Sequence, residues 1–224
     1  MDTLKTHIES DFQRPPDRRC EDREAKAGAT LLREGAAALG PYVLREGWAF
    51  RYKTLPDGRR QILAFFLPGD IIGFQAALFP ALDHGVEALT AVRYTASSLP
   101  RLIADGILSD AHDPVVAIAR YAAAQERMLD EQLLTLGRRS ALERLAFIIS
   151  VLCDRVRALG LCGEGQIDFP LTQQHLADTL GLSLVHTNKT LRRLVGTDCL
   201  HWKGRILILR DEARLAQIAG LAPA

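Results

Sequence analysis

Between Pro170 and Leu194 the chain reads PLTQQHLADTLGLSLVHTNKTLRRL. Thr172 is a natural N-cap for a short helix whose apolar positions Leu176, Ala177 and Leu180 fall about one turn apart, and Gly181 supplies the break that ends it. A second helix follows at once. Ser183 is its expected N-cap, Leu191 and Leu194 share its inward stripe, and Asn188, Lys189, Arg192 and Arg193 are left facing outward. A helix, a Gly-containing turn and a helix with a basic outer face form the pattern of the helix-turn-helix, whose second helix enters the major groove of DNA. The small Ala177 allows the two helices to cross closely, with Leu176, Leu180 and Leu182 filling the wedge between them.

Two short amphipathic helices around a glycine also occur in all-α domains that touch no nucleic acid, so the residues that follow carry weight. CLHWKGRILILR reads as two strands, Cys199 to Trp202 and Arg205 to Leu209, joined at Lys203-Gly204. A basic hairpin directly after a recognition helix is the wing of a winged helix. From Thr172 to Arg210 the cations are Lys189, Arg192, Arg193, Lys203, Arg205 and Arg210, against two carboxylates, Asp178 and Asp198. The whole chain carries only +1, so positive charge is concentrated here.

The chain has 224 residues, enough for one large or two small domains, and its 48% hydrophobic and 25% charged residues are ordinary for a globular protein. No apolar run approaches the length of a membrane span, and MDTLKTHIES lacks the order of a signal peptide, so a cytoplasmic protein with no membrane partner is expected. Cys20, Cys153, Cys162 and Cys199 form no CxxC pair and read as free thiols.

Residues 1–24 are polar, contain Pro15-Pro16 and show no apolar period, which predicts a flexible arm. Residues 25–110 change to short strands with turn punctuation. GWAFRYKTL alternates Trp48, Phe50 and Tyr52 with Ala49, Arg51 and Lys53, and the Pro56-Asp57-Gly58 turn returns the chain through Ile62 to Leu67 as a hairpin. LPGD at Leu67 to Asp70 is another turn, and Leu89 to Leu99 a later strand. Many short strands between Gly and Pro turns imply a β-sandwich or jelly-roll barrel. Residues 111–137 are helical: Asp113-Pro114 starts a run in which Val115, Ile118, Ala122, Leu129, Leu133 and Leu136 recur up to Gly137, about 34 Å long. Its apolar stripe is wide enough to meet both the barrel and a second chain, so a symmetric dimer through Ile118, Ala122, Leu129 and Leu133 is expected. In residues 138–224, Ser140 to Glu143 form a capping box that opens a helix ending near Gly160, and Gly163 to Gly165 lead into the helix-turn-helix. The fold class is α+β.

This order of parts, with GWAFRYKTLPDGRRQILAFFLPGDIIG, LGRRSALERLA and LTQQHLADTLGLSLVHTNKTLRRL, resembles the bacterial transcription regulators of the cyclic AMP receptor protein and FNR family over roughly Ala25 to Gly220. The resemblance implies a cyclic-nucleotide-binding-like jelly-roll barrel, a dimerisation helix and a winged helix-turn-helix. It also implies a homodimer on a near-palindromic stretch of double-stranded DNA, with half-sites about 10 bp apart. Val185, Asn188 and Lys189, with His186 beside them, would reach base edges; Thr172, Gln173, Ser183, Thr190 and Lys203 would hold phosphates. Family members carry Glu where this chain has Val185 and Arg where it has Lys189, so their operators do not transfer. RNA polymerase is a further implied partner.

The signal read by the barrel is approached by exclusion. A cyclic nucleotide requires an acidic partner for the ribose and a cation for the phosphate; the corresponding stretch offers Gln75 and His84, the two candidate pocket residues. An iron–sulfur cluster needs four thiolates, and only Cys20 lies near the amino end. Haem needs only one or two axial ligands and stays open by residue counting, although the six histidines, His7, His84, His112, His175, His186 and His201, show no metal spacing. No cofactor and no metal site are predicted, and regulation by amount or by oxidation of Cys199 is an alternative. Catalytic residues are not expected, since neither a His/Glu cluster nor a Ser/His/Asp or phosphate-loop pattern is present. A protein-interaction module with a repurposed helix-turn-helix is the competing class.

Overall fold

At the Pro56-Asp57-Gly58 turn, Asp57 Oδ1 accepts the Arg59 N–H at 3.0 Å and Gly58 takes a positive φ of 87°. The turn pairs strands β4 (Ala49–Thr54) and β5 (Arg60–Phe66) in antiparallel register, Ala49 opposite Phe66 and Thr54 opposite Arg60. The computed structural model describes residues 22–37, 40–108, 113–163 and 165–221. It divides the chain into two compact units, 1–127 and 128–224.

In the first unit β2 (Thr30–Leu32) and β7 (Gly85–Ala88) join the hairpin in the order β2-β7-β4-β5. A second antiparallel sheet has the order β1-β8-β3-β6, from β1 (Asp22–Ala25), β3 (Tyr42–Glu46), β6 (Ile71–Ile72) and β8 (Val92–Ala96). One buried cluster draws on both sheets: Tyr42, Leu44, Ile72 and Val92 from one, Ala49, Val86 and Ala88 from the other. The two sheets therefore close over a common interior, the barrel that the turn spacing predicts. Two glycines make the closure possible. Gly47 holds φ 81°, and a Cβ there would lie 2.1 Å from the Ala91 carbonyl oxygen. At Gly85, cross-strand from Tyr52, a Cβ would meet the tyrosine ring at 2.6 Å.

Several boundaries differ from the sequence reading. Residues 22–24 belong to β1, paired with β8, because Asp22 accepts the Thr95 hydroxyl at 2.7 Å and Arg23 lies over the Tyr42 ring; the remainder of the expected arm lies outside the described residues. The strand expected over Leu89 to Leu99 is only Val92–Ala96. Leu89 and Thr90 instead bond back to the Trp48 carbonyl, and Leu99 opens helix α1 (Leu99–Ala104). Strand β7 has no alternating pattern long enough to announce it.

Helix α2 (Pro114–Arg138) starts where Asp113 Oδ1 accepts the Val115 N–H at 2.8 Å. Its first turns belong to the barrel core: Ala117 and Ile118 are buried with Val43, Ile71, Leu99 and Leu102, and Tyr121 packs on Phe74 with ring centroids 4.4 Å apart. Ile118, expected in a dimer seam, is thereby occupied within its own chain. Ala122, Leu129 and Leu133 are exposed. The helix runs through Gly137 to Arg138, since a glycine costs a helix only about 1 kcal/mol and nothing crowds this one. The division between the two units falls inside α2, so 111–137 is not a unit of its own.

In the second unit α3 (Ala141–Ala158) begins with a complete Ser140/Glu143 capping box. Strands β9 (Cys162–Gly163) and β10 (Gln166–Asp168) form a small hairpin where the sequence reads as a link. Helices α4 (Gln173–Leu180) and α5 (Leu184–Val195) follow, then β11 (Leu200–Lys203), β12 (Ile206–Leu209) and α6 (Glu212–Ile218), with sheet order β11-β12-β10-β9. Leu145, Ile149, Ile167, Phe169, Leu176, Leu180, Leu194, Leu207 and Leu215 are all buried.

Gly85→Ala should destabilise the barrel by about 1–3 kcal/mol, because the Tyr52 ring must leave its rotamer. Gly163→Ala, with open space around it, should be near neutral. Urea midpoints of the two variants check this.

Candidate nucleic-acid interface

The entry to α4 is fixed by a reciprocal cap: Thr172 Oγ1 accepts the His175 N–H at 3.2 Å, and His175 Nδ1 accepts the Thr172 N–H at 3.1 Å. Histidine here takes the place that glutamate fills in the usual capping box. At the other end Gly181 adopts φ 64° as a left-handed cap, and its N–H bonds to the Ala177 carbonyl, as does that of Leu182 at 3.1 Å. Ser183 Oγ then accepts the His186 N–H at 3.2 Å and starts α5. Only three residues, Gly181, Leu182 and Ser183, separate the helices.

Along α5, Thr187, Thr190 and Leu194 point inward and are buried. Opposite them Val185 is 80% exposed, and Val185, Asn188, Lys189 and Arg192 line one open groove. The spacing of seven residues from Val185 to Arg192 places them along two turns of a single face. His186 is exposed at the helix start, and Thr172, Gln173, Ser183 and Lys203 are exposed as well. The structure corrects Thr190: it is buried, and its hydroxyl donates to the His186 carbonyl at 2.8 Å. Its i, i+3 relation to Thr187 puts it on the core side of the helix, where it cannot hold a phosphate. Arg192 is the groove residue that the sequence reading left out of the base-contacting set. Its position four residues after Asn188 is the signal that could have found it.

The wing is the hairpin β11–β12. Trp202 packs edge-on against Phe169 with centroids 5.1 Å apart and donates its indole N–H to the Gly204 carbonyl at 3.1 Å. Arg205 is held by both oxygens of Asp168, at 3.0 and 2.7 Å, which raises its pKa and cancels its charge locally. Lys203 and α5 therefore present the positive face.

In the barrel, Gln75 lies half-buried on a 3-10 turn, Phe74–Ala77, and brings no charge. His84 is buried, with Nδ1 2.8 Å from Asp83 Oδ1 and Nε2 shut away without a protein partner. Burial pushes its pKa down, which outweighs the opposing effect of Asp83; the Arg51 and Lys53 charges act in the same direction as burial. Arg51 sits on β4 directly opposite Val86, on the side of the strand that faces the interior; its Nε is also buried without a protein partner. The alternating pattern of β4 does not distinguish Arg51 from an outward-facing cation, so it escapes sequence reading.

Among the described residues no three His, Cys, Asp or Glu side chains gather as a metal site. His7 and His112 lie outside them, as does Cys20. Cys199, considered for oxidation, is fully buried and receives the Thr197 hydroxyl at 3.1 Å, so the sulfur is closed to oxidants. Burial also pushes the Cys153 thiol up to about 12.

A buried neutral His84 makes the barrel sensitive to acid. The unfolded chain takes up this proton around the ordinary value of 6.5, whereas the folded barrel does so only at lower pH. Stability should be greatest above that value and decline as pH falls toward the depressed folded value. His84→Gln should reduce the difference in urea midpoint between about pH 7.5 and about pH 5.5.

Residues 22–103 match the cyclic nucleotide-binding domain, and residues 143–218 match the Crp-like helix-turn-helix domain. The chain is 32% identical over 197 residues to the nitrogen fixation regulation protein FixK of Bradyrhizobium diazoefficiens, covering 86% of this chain and 79% of that protein. It is 31% identical over 168 residues to the transcriptional activatory protein AadR of Rhodopseudomonas palustris, covering 73% of this chain and 66% of the relative. Among solved structures, FixK2 from Bradyrhizobium japonicum aligns with a TM-score of 0.74 at 29% identity, over 92% of this chain and 100% of that one. The two matched domains, the capped helix-turn-helix with its wing and a relative of this identity and coverage lead to one conclusion: the chain belongs to the Crp/Fnr family of DNA-binding transcription regulators.

Proposed function

We propose that this regulator acts as a homodimer, each subunit placing α5 in one half of a near-palindromic operator. The observation that carries the reading is the outward groove of Val185, Asn188, Lys189 and Arg192 on a helix whose opposite face is buried. Lys189 and Arg192 donate to guanine O6 and N7, Asn188 reads adenine or an acceptor edge, and Val185 packs on a thymine methyl. His186 follows Val185 and is exposed in the first turn of α5. Thr172 and Ser183 keep a hydroxyl hydrogen free to donate to phosphate while their oxygens cap the helices. Gln173 and Lys203 add contacts to the backbone on either side.

Dimerisation runs through the rear half of α2. Ala122, Leu129, Leu133 and Leu136 are exposed at spacings of seven, four and three, the seam of a two-stranded coiled coil, with Met128 and Leu134 beside it. The barrel reads a signal other than a cyclic nucleotide: Gln75 offers no charge to a ribose, and His84 is held neutral with one ring nitrogen already bound to Asp83. RNA polymerase is the partner through which bound DNA would be read out. No described helix is long and apolar enough to cross a membrane, consistent with a regulator that works beside the chromosome. The alternative, a protein-interaction module on the same scaffold, lacks the salt dependence that phosphate binding imposes.

Selection from a random duplex pool with full-length protein at stated salt should enrich a two-fold symmetric site. Lys189→Ala should then lower affinity about tenfold and relax base preference at one position of each half-site, whereas Lys203→Ala should weaken all sites alike and shrink the salt slope by about one. Binding that is insensitive to salt would favour the interaction module.

Leu133→Glu should convert the dimer to monomer in sedimentation velocity and abolish binding to the two-fold site, with the barrel still folded. A variant that sediments as wild type would remove this seam from the interface.

A further inference from the structure

The residues joining α2 to α3 are tied to three helix ends by two arginines. Arg139 donates its Nε to the Ala219 carbonyl at 3.1 Å, at the end of α6, and its Nη1 to the Thr135 hydroxyl in the last turns of α2 at 2.6 Å. Its guanidinium lies 4.2 Å over the Phe147 ring of α3. The backbone carbonyl of the same residue accepts Arg144 Nε at 2.8 Å, and Arg144 Nη1 reaches on to the Leu180 carbonyl at 3.1 Å. Leu180 is the last residue of α4, next to the Gly181 turn.

One planar guanidinium thus bridges the exit of the dimerisation helix and the turn that aims the recognition helix. The chemistry suits the task. Carbonyls at helix C-termini lack intrahelical donors and carry the negative end of the helix dipole, so a cation with several donors in a rigid fork satisfies two of them at a fixed separation. The Leu180 carbonyl is such a group, because the Gly181 and Leu182 N–H groups both turn to Ala177 instead. Arg139, stacked and half-buried, keeps the carbonyl that Arg144 reads from drifting. The capping box at Ser140 serves α3 alone and does not reach α4.

From this geometry we infer that Arg144, supported by Arg139, is a positioning residue for operator recognition: it sets the angle between the end of α2 and the helix-turn-helix. Through a two-fold axis along α2, that angle fixes the separation and phase of the two recognition helices. Half-site spacing is therefore selected by this clamp, while base identity is selected by the α5 groove. The inference rests on the dimeric reading given above.

The test measures affinity of full-length protein for the selected operator and for versions with one base pair inserted or removed at its centre. One base pair rotates the second half-site by about 34°. Wild type should lose about tenfold or more on either change. Arg144→Leu and Arg144→Gln should lose about threefold or less while keeping the same base preference within each half-site. Leu152→Ala, which removes a buried α3 side chain eight positions after Arg144, should lower the urea midpoint yet keep the spacing preference of wild type. Arg144→Gln retains an amide able to reach one carbonyl, so it reports even where Arg144→Leu does not fold. Spacing preference that survives in the folded Arg144 variants overturns the clamp alone. A wild-type protein that selects no two-fold site overturns the dimeric reading, and the clamp's role with it.

Discussion

With Gly181 at φ 64°, the N–H groups of Gly181 and Leu182 turn back onto one carbonyl, that of Ala177, and α4 ends within a single residue. A residue with a Cβ is strained in that conformation, and a slower exit would carry α5 away from α4. Because the turn is this short, α4 and α5 bury Leu176, Leu180 and Leu194, and the side of α5 that is left over is the one bearing Val185, Lys189 and Arg192. The outward groove is thus a consequence of how the inward side is packed. The caps at Thr172 and Ser183 complete the arrangement by satisfying N–H groups that have no helical acceptor.

Helix α2 carries two kinds of surface along one length. Its first two turns bury Ala117 and Ile118 and seat Tyr121 against Phe74, so the helix is anchored in the barrel's own core. Beyond them the apolar positions face solvent; Leu133 is 73% exposed. An apolar row this long is unusual on a surface that has no partner to cover it. In the dimer proposed above, this exposed rear half is the part of α2 that a second copy would cover.

Among the described residues, two buried polar side chains of the barrel lack a protein partner for one nitrogen each. His84 and Arg51 each hold a nitrogen away from water without a protein acceptor or donor, while Thr95 and Arg45, on the other sheet, bond to each other at 3.1 Å. Polar groups left without a partner inside a barrel cost stability.

The sequence by itself determined the elements whose signals are local. Thr172, Gly181 and Ser183 mark the helix-turn-helix, Lys203-Gly204 the wing, Ser140 and Glu143 the start of α3, and Pro56-Asp57-Gly58 the barrel hairpin, because caps and tight turns depend on residues a few positions apart. The outward placement of Asn188 and Lys189 followed from the same periodicity, whereas Val185 was singled out by the family resemblance alone. Tertiary structure alone decided which face of each element is inside. Ile118 joins the barrel, Thr190 turns inward, Arg51 enters the interior, Arg205 is neutralised by Asp168 and Arg144 spans two helix ends. Arg205 and Arg144 find partners 37 and 36 positions away, and the others depend on a face shared between elements. A single-chain pattern has no term for such pairings, since burial and long-range hydrogen bonds come into being only when the elements pack.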